Sequence, residues 1–348
     1  MNLHIHGIIL PENIEKDIYI VDGHITFDKK KDAKTVVKNG YIIPGLVDAH
    51  VHVNMGEDSL KENAKKHLHA GVLTIREPGS PDYETLKLKV EDGFPRIVTA
   101  GRFLAPHGKY FPGIAHEISE VDLPEAAETE FKKSGGWVKV IGDFFDEKGN
   151  NVPNFSLEIL KKTVDRVHKL GGRIATHVVN SEAIERAIEA GFDSIEHGTA
   201  MQESYLKEMK KKNIAFTPTM VIRDAIIEIW KGSGSKETFE ATETAVHNQA
   251  GMVKKAFENG VRVLAGTDAG MLPHGIISEE INNFFEAGVD PKLALGAGSW
   301  IAREYLGYKG VEEGEHADLV VFEKNPFTNP KILKNPTFIM LDGKVVTQ

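Results

Sequence analysis

Between residues 46 and 266 the chain repeats one unit, a short apolar run followed by a stretch with helical periodicity. Eight such runs, at 46–53, 72–77, 96–101, 137–142, 173–178, 194–197, 215–220 and 261–266, predict strands. Helical stretches at 60–69, 123–133, 157–169, 181–189, 203–212 and 248–259 separate most of them, and 291–306 supplies a last helix. Several helices run into glycine, at Gly71, Gly171, Gly191 and Gly260, as helix ends tend to. Eight apolar strands joined by helical crossovers predict an α/β fold, a (β/α)8 TIM barrel over residues 44–309. At 348 residues the chain is long for one domain but suits a single barrel.

The two ends carry a different pattern. Asp22-Gly23 and Asp342-Gly343 each sit between runs rich in β-formers, and Asp-Gly provides the positive φ of a tight hairpin turn. Residues 317–322 read as a further strand. Residues 1–43 and 310–348 therefore predict one small β-sandwich domain built from both termini. The stretch 103–118 has no clear period and holds Pro106, His107, Gly108, Tyr110, Pro112 and Gly113, which predicts an active-site loop.

Titratable residues close several of the predicted strands. His50 and His52 stand at the end of the first, and on a strand positions i and i+2 share a face, a chelating geometry. Lys139 lies in the fourth, His177 ends the fifth, His197 ends the sixth, and Asp268 follows the eighth. In a barrel of this kind chemistry gathers at the C-terminal strand ends, so these six residues converge on one rim. Neutral imidazole and carboxylate are zinc ligands, and a catalytic site keeps a position open for water. Lys139 is the odd member, since an ammonium cannot bind a cation. Burial would lower its pKa, and the free amine could take up CO2 as an anionic carbamate. Otherwise it pairs with Asp143 or Glu77, and a mononuclear site of His50, His52, His177 and Asp268 remains, with His197 as electrophile or base. There is no cysteine, so thiolate ligands and disulfides are excluded.

In these segments the chain resembles the amidohydrolase superfamily: Asp48-Ala49-His50-Val51-His52, Val138-Lys139-Val140, Thr176-His177, Ile195-Glu196-His197-Gly198 and Gly266-Thr267-Asp268-Ala269. The tail from Gly314 to Val321 is similar to the return into that family's small β-domain. The lysine on strand four is similar to the binuclear branch of prolidase-like dipeptidases, near imidazolonepropionase. The resemblance implies two divalent ions, zinc by expectation. His50 and His52 would bind the more buried one, His177 and His197 the second, and carboxylated Lys139 would bridge them. Asp268 would bind the first ion, take the proton of a metal-bridging hydroxide and pass it to the leaving nitrogen. The implied reaction is hydrolysis of a non-aromatic amide in a dipeptide or N-acyl amino acid. The alternatives are a cyclic-amide hydrolase or a mononuclear deaminase, or a catalytically inactive barrel scaffold. A deaminase needs an acid near the strand-five histidine, and Val178-Val179-Asn180 offers none. Two departures from the branch are Pro106-His107-Gly108 in place of Gly-His-Gly, and a short chain, which implies trimmed lid loops.

Candidates for holding the substrate are His107 and Tyr110 on the long loop, Arg223 after the seventh strand, and His274 beyond Asp268. Arg223 would grip a carboxylate with two parallel hydrogen bonds. His4 and His6 repeat the His-x-His spacing but read as a surface strand of the terminal domain. Glu196 adjoins His197 and so points away from it, a structural position, as is Asp48 one pleat below His50. A net charge of −9 argues against nucleic acid or an anionic membrane as partner and leaves a small-molecule substrate. With no signal-like or membrane-spanning run, the expected location is cytoplasmic. Barrels of the family often associate, so a homo-oligomer is compatible with the resemblance.

Overall fold

The computed structural model describes residues 1–347, without the side chain of residue 233. Both chain ends enter one eight-stranded sheet. Strand Leu3–Ile9 alternates buried and half-buried side chains and pairs with Ile14–Val21 on one edge and with Lys34–Val37 and Tyr41–Pro44 on the other. Strand Leu319–Phe322 pairs antiparallel with Tyr41–Pro44, which joins the C-terminal segment to the N-terminal one. Backbone pairing thus runs through one continuous sheet rather than two separate layers, because Leu3–Ile9 is shared along its length.

The two Asp-Gly turns meet back to back. Asp22 and Gly23 lie at φ 49° and 84°, Asp342 and Gly343 at 52° and 73°. A Cβ on Gly343 would stand 2.4 Å from the Gly23 Cα. Gly343→Ala therefore adds a backbone clash to an unfavourable φ. We expect it to cost about 1–3 kcal/mol in thermal or urea unfolding. Its metal content should stay that of the parent, since the turn belongs to the terminal sheet; a variant as stable as the parent refutes the close-packing account.

The rest is α/β with parallel pairing. Leu46–Asp48 pairs with Val72–Glu77, and that strand with Arg96–Thr99. Phe103–Pro106, Trp137–Ile141, Arg173–Val178, Ser194–His197 and Ala215–Thr217 follow in order. Further backbone hydrogen bonds link these groups: Ser80 to Gly101 at 2.8 Å, Phe216 to Arg262 at 2.9 Å, and Ala49 to Ala265 at 2.8 Å. Helices such as Leu157–Lys169 and Ser181–Ala190 bury one apolar stripe against the strands. No helix among the described residues is long and apolar enough to cross a membrane.

Several expectations change in detail. The first strand stops at Asp48, so His50 and His52 stand on the irregular segment beyond it. The run 103–118 is not all loop, since Phe103–Pro106 and His116–Ile118 pair in parallel. The helix expected at 248–259 is the end of Lys236–Glu258, preceded by Arg223–Ser233. The helix expected at 291–306 divides into Pro291–Ala297 and Trp300–Tyr305. At the break Ser299 donates its hydroxyl to the Pro44 carbonyl at 2.8 Å.

Candidate metal centre

His50, His197 and Asp268 bring their ligand atoms within 4.8 Å of one another, and all three are buried. His52 joins them, with Nε2 3.1 Å from Asp268 Oδ1; His50 Nε2 lies 3.4 Å from the same oxygen. The His177 ring packs edge-on to His197, 4.6 Å between centroids, and is the most accessible of the four. Lys139 is buried at the floor, with Glu196 and Asp268 as its acidic neighbours. Glu77 and Asp143, the alternative partners for Lys139, are engaged elsewhere. Glu77 accepts from Val53 N and the Thr85 hydroxyl, and Asp143 from Val179 N and Asn180 N.

The second nitrogens of three imidazoles are tethered. His50 Nδ1 meets Glu196 Oε2 at 2.7 Å, His52 Nδ1 the Gly79 carbonyl at 2.8 Å, and His197 Nδ1 the Thr219 hydroxyl at 2.9 Å. A carbonyl can only accept, so His52 carries its proton on Nδ1 and turns the Nε2 lone pair inward; the carboxylate does the same for His50. Those lone pairs then face an oxygen of Asp268. His50 Nε2 is buried without a hydrogen-bond partner. Two lone pairs and a carboxylate oxygen converging in a buried space repel unless a cation lies among them. The donor set fits a divalent ion with nitrogen and oxygen ligands.

The electrostatics agree. Burial pushes the His177 imidazole down to about 3 and His197 well below the ordinary value, so both stay neutral. Burial by itself would raise Asp268, and with imidazole lone pairs rather than N–H groups facing it, a bound cation is what would hold its carboxylate ionised. Burial lowers the Lys139 ammonium to about 8, against the pull of Glu196 and Asp268, so the free amine is within reach near neutral pH.

Glu196 overturns its expected orientation. It faces the same cluster as His197, because His197 takes φ 65° and so breaks the strand's alternation. Glu196 receives His50 Nδ1, the Arg76 Nη2 at 2.7 Å and the Ser194 hydroxyl. Arg76, fully buried, was missed; the only hint was the charged pair Arg76-Glu77 closing an apolar strand. Asp48 accepts from Thr267 N and its hydroxyl, fixing the turn that presents Asp268. An acid does approach the strand-five histidine, but from another segment: Asp143 Oδ1 is 3.8 Å from His177 Nε2.

The centre opens into a pocket that is open to solvent on one side. His52, His177, His197 and Asp268 form its polar floor. Of the four substrate-holding candidates, Tyr110 alone lines it. His107 is exposed and faces Glu117, since its turn points outward. Arg223 folds back on the Met220 carbonyl at 2.9 Å. His274 bonds His67 at 3.0 Å and the Met55 carbonyl at 3.0 Å, behind the cavity wall. His4 and His6 share Asp17 on the terminal sheet, remote in sequence and pairing from the centre. The wall that replaces these candidates was not foreseen. It comes from helix Arg223–Ser233 and from the strand pair Asp143–Phe145 and Asn151–Pro153.

Comparison with known proteins follows the same lines. An uncharacterized protein of Mycobacterium tuberculosis is 35% identical over 354 residues, covering 99% of this chain and 95% of that protein. Ochratoxinase of Aspergillus niger is 24% identical over 398 residues, covering 95% of this chain and 81% of its own. Among solved structures, a Xaa-Pro dipeptidase with bound methionine superposes with TM-score 0.86 at 22% identity, over 100% of both chains. The A. niger ochratoxinase structure gives TM-score 0.83 at 22% identity, over 99% of this chain and 95% of that one. The fold is thus α/β of the TIM-barrel type. Residues 41–347 match the amidohydrolase family, and the chain belongs to it.

Proposed function

We propose that this protein is a metal-dependent hydrolase that cleaves a carbon–nitrogen amide bond. The observation that carries this is the convergence of inward-facing imidazole lone pairs on Asp268, with their other nitrogens tethered. His50, His52 and Asp268 would hold one ion. His177 and His197 would hold a second, and Lys139 as its carbamate would serve both. Bound there, divalent metals supply Lewis acidity to the scissile carbonyl and lower the pKa of water. Zinc is the ion proposed, from a donor set of imidazole and carboxylate without thiolate.

The chain's own residues do the rest. Asp268, held ionised, accepts the proton of the attacking water as the new carbon–oxygen bond forms. It then delivers that proton to the leaving nitrogen as the carbon–nitrogen bond breaks. Glu196 holds the His50 ring in place and Thr219 the His197 ring. The cavity walls exclude bulk water from the reacting carbonyl. The dipeptide and N-acyl amino acid substrates implied by resemblance share the amide but not an anchor, since Arg223 points elsewhere.

Metal analysis of protein produced with zinc tests the reading, with two equivalents per chain expected. Protein that takes up no transition metal would reject it. Lys139→Ala should lose the second equivalent and most of the activity, while a folded variant retaining both rejects the carbamate.

A further inference from the structure

Resting on the hydrolase reading above, we infer that the substrate is uncharged and apolar around its amide, on both the acyl and the amine side, and carries no free carboxylate. The cavity over the centre shows why. Tyr110, Phe111, Phe144 and Phe145 form one aromatic wall, with ring centroids 5.1–5.8 Å apart between neighbours. Trp230 continues it, 4.7 Å from the Phe145 ring, and Ile226 and Ile229 of the same helix complete the side. No lysine or arginine is among the residues that line it. The neighbouring cations lie off the lining: Lys109 donates to the Phe145 carbonyl at 3.1 Å and Arg223 to that of Met220. The acid on the wall is Asp143, whose Oδ2 already accepts two backbone N–H groups.

A ligand carboxylate would therefore leave water, find no cation on the walls and stand beside Asp143. An apolar group of similar size would bury against aromatic and aliphatic carbon. The requirement concerns the walls alone, since metals held by the floor residues would serve the carbonyl.

The test uses metal-loaded protein and two matched pairs of amides. One pair is the 4-nitroanilides of pentanoate and glutarate, which differ by a carboxylate on the acyl side. The other is the pentanoyl amides of aniline and 4-aminobenzoate, which differ on the amine side. In each pair kcat/KM should favour the neutral member by roughly a hundredfold or more. Equal or better turnover of the charged member in either pair overturns the inference. Ile229→Arg places a cation on the wall and should narrow the acyl-side gap by roughly tenfold. If that variant fails to fold, Met271→Lys at the exposed rim takes its place, and an unchanged gap overturns the argument from the missing cation.

Absence of cleavage for all four amides would count against the hydrolase reading, yet binding still decides the pocket. Trp230 is one of three tryptophans, and its fluorescence, assigned with Trp230→Phe, reports occupancy. Saturable quenching by pentanoyl anilide and not by its 4-aminobenzoate counterpart supports the inference. Quenching by both alike, by the charged member alone, or by neither overturns it.

Discussion

Asp268→Asn should fold, keep most of its metal and lose kcat by roughly 10²–10⁴-fold, the range for removing a positioned general acid–base group. The turn that carries Asp268 does not depend on its carboxylate. Its amide donates to the His50 carbonyl at 2.7 Å, and the Thr267 hydroxyl donates to Asp48 at 2.6 Å. Asp268 also sits at φ 56°, a conformation that asparagine tolerates nearly as well as aspartate. Backbone and packing therefore remain, and the loss falls on chemistry. The substitution keeps an oxygen that can approach an ion but removes the basic group that takes a proton. KM should move far less than kcat, because the carboxylate sits at the floor and the apolar walls hold the substrate. Matched determination of metal content, kcat and KM checks this. A variant with full metal occupancy and more than about a tenth of the parent kcat would exclude Asp268 as the proton carrier.

Most of the candidate centre was readable because its residues lie in or at the ends of apolar runs, and parallel strands deliver their C-terminal ends to one side. His177 and His197 needed no knowledge of side-chain direction. His50 and His52 were read as strand positions, but they stand past the strand end. They converge on one carboxylate oxygen because Glu196 and the Gly79 carbonyl tether their other nitrogens, not because of a pleat. Alternation misled outright at Glu196. Its neighbour His197 occupies the left-handed region, a backbone choice that nothing in Ile195-Glu196-His197-Gly198 compels. Arg76 was hidden for a related reason. A buried arginine is legible only through its partners, and those are Glu196 and Thr217 on other strands and Ala49 just past the end of one. The cavity walls were the least legible part. Helix Arg223–Ser233 has apolar residues at helical spacing, yet it follows a strand so closely that Arg223 read as a loop residue free to reach substrate. The Asp-Gly turns were clear because their conformation is set by local sterics alone.

The ion pair behind His50 yields the largest expected effect on stability. Glu196→Ala removes the sole carboxylate among the described residues that meets the Arg76 guanidinium and leaves that charge buried; such a loss costs about 3–5 kcal/mol. Combining it with Arg76→Leu should recover part of the cost, since the stranded charge goes with it. Glu196→Gln is the gentler probe. It keeps the shape and an acceptor for His50 Nδ1 but weakens the basicity that the carboxylate lends to the ring. Metal affinity should fall by roughly 10–100-fold. The pH dependence has a definite sign. Burial would raise the Glu196 carboxyl, but Arg76 and His50 outweigh it and hold the group well below its ordinary value of 4.5. A depressed folded pKa stabilises the protein above the unfolded value, and that stabilisation is lost as pH falls through the folded one. In metal-free protein the stability gap between parent and Glu196→Gln should thus be full near neutrality and shrink below about pH 4.5. Urea unfolding across that range, with metal titration at neutral pH, reads both effects. A gap that is flat with pH, or a Glu196→Gln variant that binds metal as tightly as the parent, would reduce Glu196 to a packing residue with no hold on the centre.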